Sequence, residues 1–190
     1  MFYIEKISLQ NFKNYEEYSA SFSKGVNSII GKNGIGKTNL LDAIYFLAFT
    51  KSAFNSVDNQ LINNSFSHFY VNGFFVNNDV KDFISTGLEK GKKKAFLKNK
   101  KSIGKLTNHV GNYPIVLITP YDTDLIRETS DARRKFFDGL ITQMNPTYLE
   151  VLLKYKNLIK NRNVLLKDNL KYGNLNLALL NVLTDQIIPL

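Results

Sequence analysis

Gly31-Lys32-Asn33-Gly34-Ile35-Gly36-Lys37-Thr38 fills every fixed position of the phosphate-cradling pattern G-x-x-x-x-G-K-[ST]. Its flanks suit that reading. Upstream, Val26-Asn27-Ser28-Ile29-Ile30 is short and β-branched, and it ends on the first glycine as a buried strand feeding the loop would. Downstream, Asn39 to Ala48 holds good helix formers without Pro or Gly, so a helix is predicted from the end of the loop. A glycine-rich turn matching by chance would lack this strand-loop-helix setting. The stretch implies a nucleotide-triphosphate binder.

The residue types explain the chemistry. Gly31, Gly34 and Gly36 can adopt positive φ, so successive backbone N–H groups can turn inward around a β-phosphate. Lys32, Asn33 and Ile35 complete the wrapping backbone. The free amides and the positive dipole end of the helix beginning near Lys37 add to this. Lys37 is placed to reach β- and γ-oxygens, and the Thr38 hydroxyl to take one position on a Mg²⁺ ion bridging them.

Composition narrows the classes. The 190 residues suffice for one core, or for one core plus an appendage. No apolar run approaches a membrane span and no secretion-signal plan opens the chain, so a cytoplasmic protein is expected. Without cysteine there is no disulfide or thiolate metal site, and only His68 and His109 carry imidazoles. The formal charge is +9, but eight lysines and no acids lie between Lys90 and Lys105, leaving about +1 elsewhere. That segment suits DNA phosphates. A compositional origin competes with this, because 21 Lys against 4 Arg, with abundant Asn and Ile, is what an A·T-rich coding sequence yields.

Along the chain, Met1 to Leu9 reads as a strand, Asn11 to Tyr15 as a turn, and Tyr18 to Phe22 as a second strand. From Phe69 to Leu106 the signal is antiparallel β. Phe69, Val71, Gly73 and Phe75 share one face, and Asn77-Asn78-Asp79 supplies a turn. Phe83 to Leu88 and Ala95 to Leu97 are further strands, which sets the lysines on a hairpin. Ile115 to Ile118 reads as a strand buried on both faces. Helices are predicted over Asp131 to Met144, Thr147 to Lys167 and Leu175 to Ile188, with Asn145 as N-cap before Pro146. The helix from Thr147 carries an amphipathic stripe including Tyr148, Leu152, Tyr155 and Ile159, better suited to packing on another helix than to holding a ligand.

Several segments carry a family resemblance. Asn11-Phe12-Lys13-Asn14-Tyr15, then GKNGIGKTNLLDAIYFLAFTKS from Gly31 to Ser52, resembles the N-terminal half of the RecF family, DNA replication and repair ATPases of the ABC/SMC-like class. ITPYDTDLIRETSDARRKFFD from Ile118 to Asp138 is similar to that family's run of proline and aspartate before paired arginines. Tyr155 to Leu158 and Asn161 to Lys167 are similar to its helical segment ending in Arg-Asn and Leu-Leu-Lys. Departures are Asp131 where proline is common, Phe137 for leucine and Asp42 for the more usual Glu. The family's Leu-Ser-x-Gly-Gln signature and acidic strand have no match here, so the resemblance implies the N-terminal portion of a longer protein.

The resemblance implies an α/β fold: the N-terminal half of a P-loop ABC-type ATPase head over 1–146, with mixed and antiparallel β and helices, then the start of a helical arm over 147–190. It implies ATP and Mg²⁺ as ligands and binding of single-stranded, gapped or duplex DNA. ATP-dependent homodimerisation, RecO- and RecR-like mediators as partners and a role in the SOS response are also implied. Lys13 or Asn14 would touch base or ribose. Arg133 and Arg134 would contact nucleotide, partner or DNA, against the plainer reading of a solvated helix face. Two alternatives stand beside it. A complete small phosphoryl-transfer enzyme would need Asp122 or Asp124 at the end of the Ile115–Ile118 strand, and as a GTPase it would need a base-reading Asn-Lys-x-Asp, which Asn99-Lys100-Lys101-Ser102 fails at its last position. The other is a nucleotide-binding module without turnover.

Overall fold

A computed structural model describes residues 2–123, 130–173 and 175–190. They form two compact units, 1–133 and 134–190.

The first unit is built on a six-stranded sheet in the order β2-β1-β3-β4-β5-β6. Its strands are β1 (Phe2–Phe12), β2 (Tyr15–Ser21), β3 (His68–Asn77), β4 (Val80–Glu89), β5 (Ala95–Lys98) and β6 (Lys101–Ser102), every pairing antiparallel. Residue period explains the faces. Phe69, Val71, Gly73 and Phe75 on β3 fall beside Ile7 and Leu9 on β1 and Ile84 and Leu88 on β4, and all are buried. Tight turns fix the register: Asn78 and Asp79 join β3 to β4, and Asn99 and Lys100 join β5 to β6, all four at positive φ.

Helix α1 (Lys37–Phe49) lies on the buried face. Leu40, Ala43, Phe46 and Leu47 recur at helical spacing and are at most 1% exposed. Phe46 meets Phe69 edge-on at 5.7 Å between ring centroids, and Phe12 meets Phe69 at 5.4 Å. Gly73 lets the helix approach, since a Cβ there would stand 2.6 Å from a Leu47 methyl.

The second unit holds most of α2 (Ser130–Met144), then α3 (Pro146–Tyr172) and α4 (Leu177–Ile187). Asn145 caps α3 by accepting the Tyr148 N–H at 3.2 Å, with proline at the first helical position as predicted. Gly173 at φ 65° ends it, and Asn176 caps α4, which packs on α3.

Two predicted strands do not form. Val26–Ile30 and Ile115–Ile118 are in no strand, and Val26, Ile30, Val116 and Ile118 are 93%, 91%, 63% and 79% exposed. A strand exists by pairing, and among the described residues neither run has a strand beside it. Ile29 and Ile115 still pack against the core, while their neighbours in each run face solvent. Smaller differences concern the first hairpin. β1 continues to Phe12 and β2 starts at Tyr15, so the turn is narrowed to Lys13-Asn14.

Candidate functional site

The phosphate-loop candidates stand together as one turn between the extended Val26–Ile30 segment and α1. Gly34 and Gly36 take φ of 82° and 112°, values that side-chain-bearing residues rarely adopt. Gly36 is the N-cap of α1, which starts at Lys37 with no side-chain cap and no acidic residue in its first turn. The amides that open the helix are therefore left to an external acceptor.

Where the loop's carbonyls go determines what its amides can do. A nest binds an anion when its N–H groups converge, which requires the carbonyls to be held elsewhere. The Lys37 ammonium donates to the carbonyls of Gly31 at 2.8 Å and Lys32 at 3.0 Å. The Asn14 amide donates to the carbonyl of Ile35 at 2.9 Å, and the Tyr15 hydroxyl to that of Gly36 at 3.1 Å. The loop thus offers N–H groups and a lysine cation, a donor set suited to polyphosphate. Thr38 at the second position of α1 is exposed and is the residue that would hold Mg²⁺ beside the phosphates. Asn33 is exposed on the loop as well.

The expected roles of Lys13 and Asn14 change. Lys13 is not presented to a base or ribose. Its ammonium lies 2.6 Å from the Asp42 carboxylate, with Lys13 only 11% and Asp42 0% exposed. Burial of both charges forces the pairing, because either alone would be left uncompensated in the interior. Asn14 is tied to the loop itself and also accepts from Asn39 at 2.7 Å.

Asp42 joins three segments. Besides Lys13 it accepts the Ser52 hydroxyl and the Ala53 N–H, both at 2.7 Å. A carboxylate inside the apolar run Leu40-Leu41-Asp42-Ala43-Ile44 was a signal that sequence reading passed over, since an Asp on the buried face of a helix needs partners. Tyr15 was equally legible only as part of a turn. Burial, with the neighbouring Tyr18 adding to it, pushes its hydroxyl above the ordinary range, so it stays protonated and able to donate. Tyr45 is pushed up to about 12 by burial and then by the Asp42 charge.

The lysine cluster does ride on hairpins, but its members differ. Lys94 pairs with Asp58 at 2.8 Å, donates to the Thr50 carbonyl at 2.5 Å and lies 5.4 Å from the centre of the Phe46 ring. Lys98 pairs with Asp82 at 2.8 Å, and Lys92 with Glu89 at 2.8 Å on the surface. Burial opposes the Asp82 charge, yet hydrogen bonds from Lys98, Asn99 and Tyr113 and the Lys98 charge hold its carboxyl below the usual range. Lys90, Lys93, Lys100 and Lys101 are exposed, as is Lys105.

Asp122 accepts the Thr119 N–H at 2.5 Å within its own turn, and Ile115–Ile118 supplies no strand end to present it. Asp124 lies outside the described residues. Arg133 and Arg134 are exposed on α2.

Comparison with known proteins agrees with these features. The RecF/RecN/SMC N terminal domain model matches residues 3–110. The DNA replication and repair protein RecF of Cytophaga hutchinsonii is 49% identical over 165 residues, covering 87% of this chain and 44% of the relative. That of Flavobacterium johnsoniae is 44% identical over 165 residues, covering 87% and 46%. The solved recombination mediator protein RecF-ATPrS of the RecFOR pathway superposes with a TM-score of 0.91 at 29% identity, over 98% of this chain and 50% of that one. The chain thus spans about half the length of the curated relatives it matches. With a model match over more than half its residues and a head fold shared with solved RecF, the chain belongs to the RecF/RecN/SMC N-terminal domain family.

Proposed function

We propose that this chain is the ATP-binding N-terminal half of a RecF-like ABC-type ATPase head acting in recombinational DNA repair and replication-fork maintenance. The observation that carries the reading is the donor set of the loop, with the carbonyls of Gly31, Lys32, Ile35 and Gly36 all tied back. Gly31 to Thr38 receive the triphosphate, Lys37 exchanges its loop carbonyls for β- and γ-oxygens, and Thr38 holds Mg²⁺. Nothing else in the chain offers a comparable anion cradle among the described residues.

Within that reading, the exposed lysines of 90–105 contact phosphates of single-stranded, gapped or duplex DNA without reading sequence. ATP binding drives homodimerisation, which brings a second head against the γ-phosphate. RecO- and RecR-like mediators are the partners, the SOS response is the setting, and the compartment is the cytoplasm. The RecF names of the relatives and the RecF-ATPrS structure support this assignment, as does the absence, among described residues, of any helix long and apolar enough to cross a membrane.

The decisive experiment is titration of wild type and Lys37→Ala with a fluorescent ATP analogue. Removing the Lys37 ammonium is expected to weaken binding about tenfold or more, which corresponds to about 1.4 kcal/mol. Equal affinities would refute the assignment of the loop.

A further inference from the structure

We infer that Asn14 and Tyr15 are positioning residues for polyphosphate, acting on the backbone of the phosphate loop and not on the base or ribose. This rests on the reading of Gly31 to Thr38 as a phosphate cradle and names what keeps that cradle in shape.

The contacts are specific to the two carbonyls that matter most. Ile35 and Gly36 immediately precede the helix, and their peptide planes carry the N–H groups of Gly36 and Lys37. Asn14 donates to the first carbonyl at 2.9 Å and Tyr15 to the second at 3.1 Å. A peptide plane is rigid, so holding its oxygen on one side presents the N–H on the other. The turn is also seated closely. A Cβ at position 36 would stand 2.6 Å from Asn14 Nδ2, 2.7 Å from its Oδ1 and 3.0 Å from the Tyr15 ring. Glycine at this position therefore serves two ends, positive φ and the approach of the β1–β2 turn.

The turn is itself anchored from behind. Between the strands, Lys13 has φ 52°, and its N–H donates to the Leu61 carbonyl at 2.7 Å. Its ammonium is held by buried Asp42, and Asp42 by Ser52 and the Ala53 N–H. Asn39, on the first turn of α1, fixes the Asn14 amide orientation by donating to its oxygen at 2.7 Å. The donor end of Asn14 is thereby aimed at Ile35, an assignment that follows from the Asn39 bond.

The test uses the full chain with two probes, ATP and inorganic tripolyphosphate, each with Mg²⁺, against wild type, Asn14→Ala and Tyr15→Phe. Both variants alter half-buried or exposed side chains, and thermal midpoints check that they fold. Each is expected to weaken ATP and tripolyphosphate by the same factor, roughly threefold to tenfold, the range for one hydrogen bond. Loss of ATP affinity with tripolyphosphate unchanged would overturn the inference and return these residues to base or ribose contact. Unchanged affinity for both would overturn it in favour of simple packing. Wild-type chain that binds neither probe would remove the cradle and this inference together, a result distinct from the other two. Lys13→Arg, which keeps the ion pair, should retain both affinities, while Lys13→Met should weaken both.

Discussion

His109 sits in the interior at 1% exposure, and its Nε2 lies 2.6 Å from the carbonyl of Leu47 near the end of α1. The carbonyl can only accept, so this nitrogen carries the hydrogen of a neutral ring. Burial lowers the imidazole pKa below its ordinary 6.5, the Lys98 charge adds to this, and the Leu47 bond opposes it. In the unfolded chain the ring titrates normally. The stability that depends on a neutral His109 is complete above the unfolded value and is lost as pH falls from there toward the folded value, because only the unfolded state takes up the proton. Denaturant unfolding at about pH 7.5 and about pH 5.5 should show a drop for wild type that His109→Gln diminishes, whatever its effect on absolute stability. Asp82 is also held low, but its window lies below the ordinary carboxylate range, separate from that of the imidazole. At this scale the sequence was least informative. The phosphate-loop residues stood out as a pattern, whereas Asp42, Tyr15 and His109 acquire meaning from partners 10, 21 and 62 residues away.

Among the elements, the lysine-bearing hairpin turns and the segments beside them make the sharpest test of DNA contact. Lys94 and Lys98 serve the fold, one under the ring of Phe46 and the other on Asp82, so replacing them would confound binding with stability. The informative variant neutralises Lys90, Lys93, Lys100, Lys101 and Lys105 to Gln and spares the paired ones. If all five contact B-DNA, the slope of log affinity against log salt should flatten by up to about 4 units, measured by fluorescence anisotropy across a salt series. Unchanged slope and affinity would leave these lysines as solvated surface. Elements whose signal is local were legible. The alternation of β3, the Asn78-Asp79 turn and the Asn145-Pro146 helix start all appear where the residues put them. Val26–Ile30 and Ile115–Ile118 were misread for a physical reason: composition reports a preference for pairing, while a strand needs a neighbour at about 4.8 Å, and that neighbour is not in the local sequence.

For the whole molecule, hydrolysis needs more than a cradle. A water must be oriented and the γ-phosphate covered on its far side, and the phosphate loop brings no carboxylate to the first turn of α1. The purified chain is therefore expected to bind ATP with negligible turnover. A steady-state phosphate-release assay of wild type against Lys37→Ala checks this, and robust release that depends on Lys37 would contradict the half-head reading. The fold as a whole was readable because the phosphate loop and the antiparallel segment each constrain it independently. The division into units at Arg133 and Arg134 follows from packing and had no mark of its own in the sequence.

The two apolar runs left outside the sheet have a colloidal consequence. Val26, Ile30, Val116 and Ile118 stand well out in solvent on backbone that no strand pairs, which is the chemistry of an adhesive edge. A formal charge of +9 would ordinarily keep molecules apart, but eight of its lysines lie between positions 90 and 105, so most of that charge is concentrated in one segment. Added salt screens what repulsion there is and leaves the stickiness of the runs untouched. This chain should accordingly be least dispersed at high ionic strength.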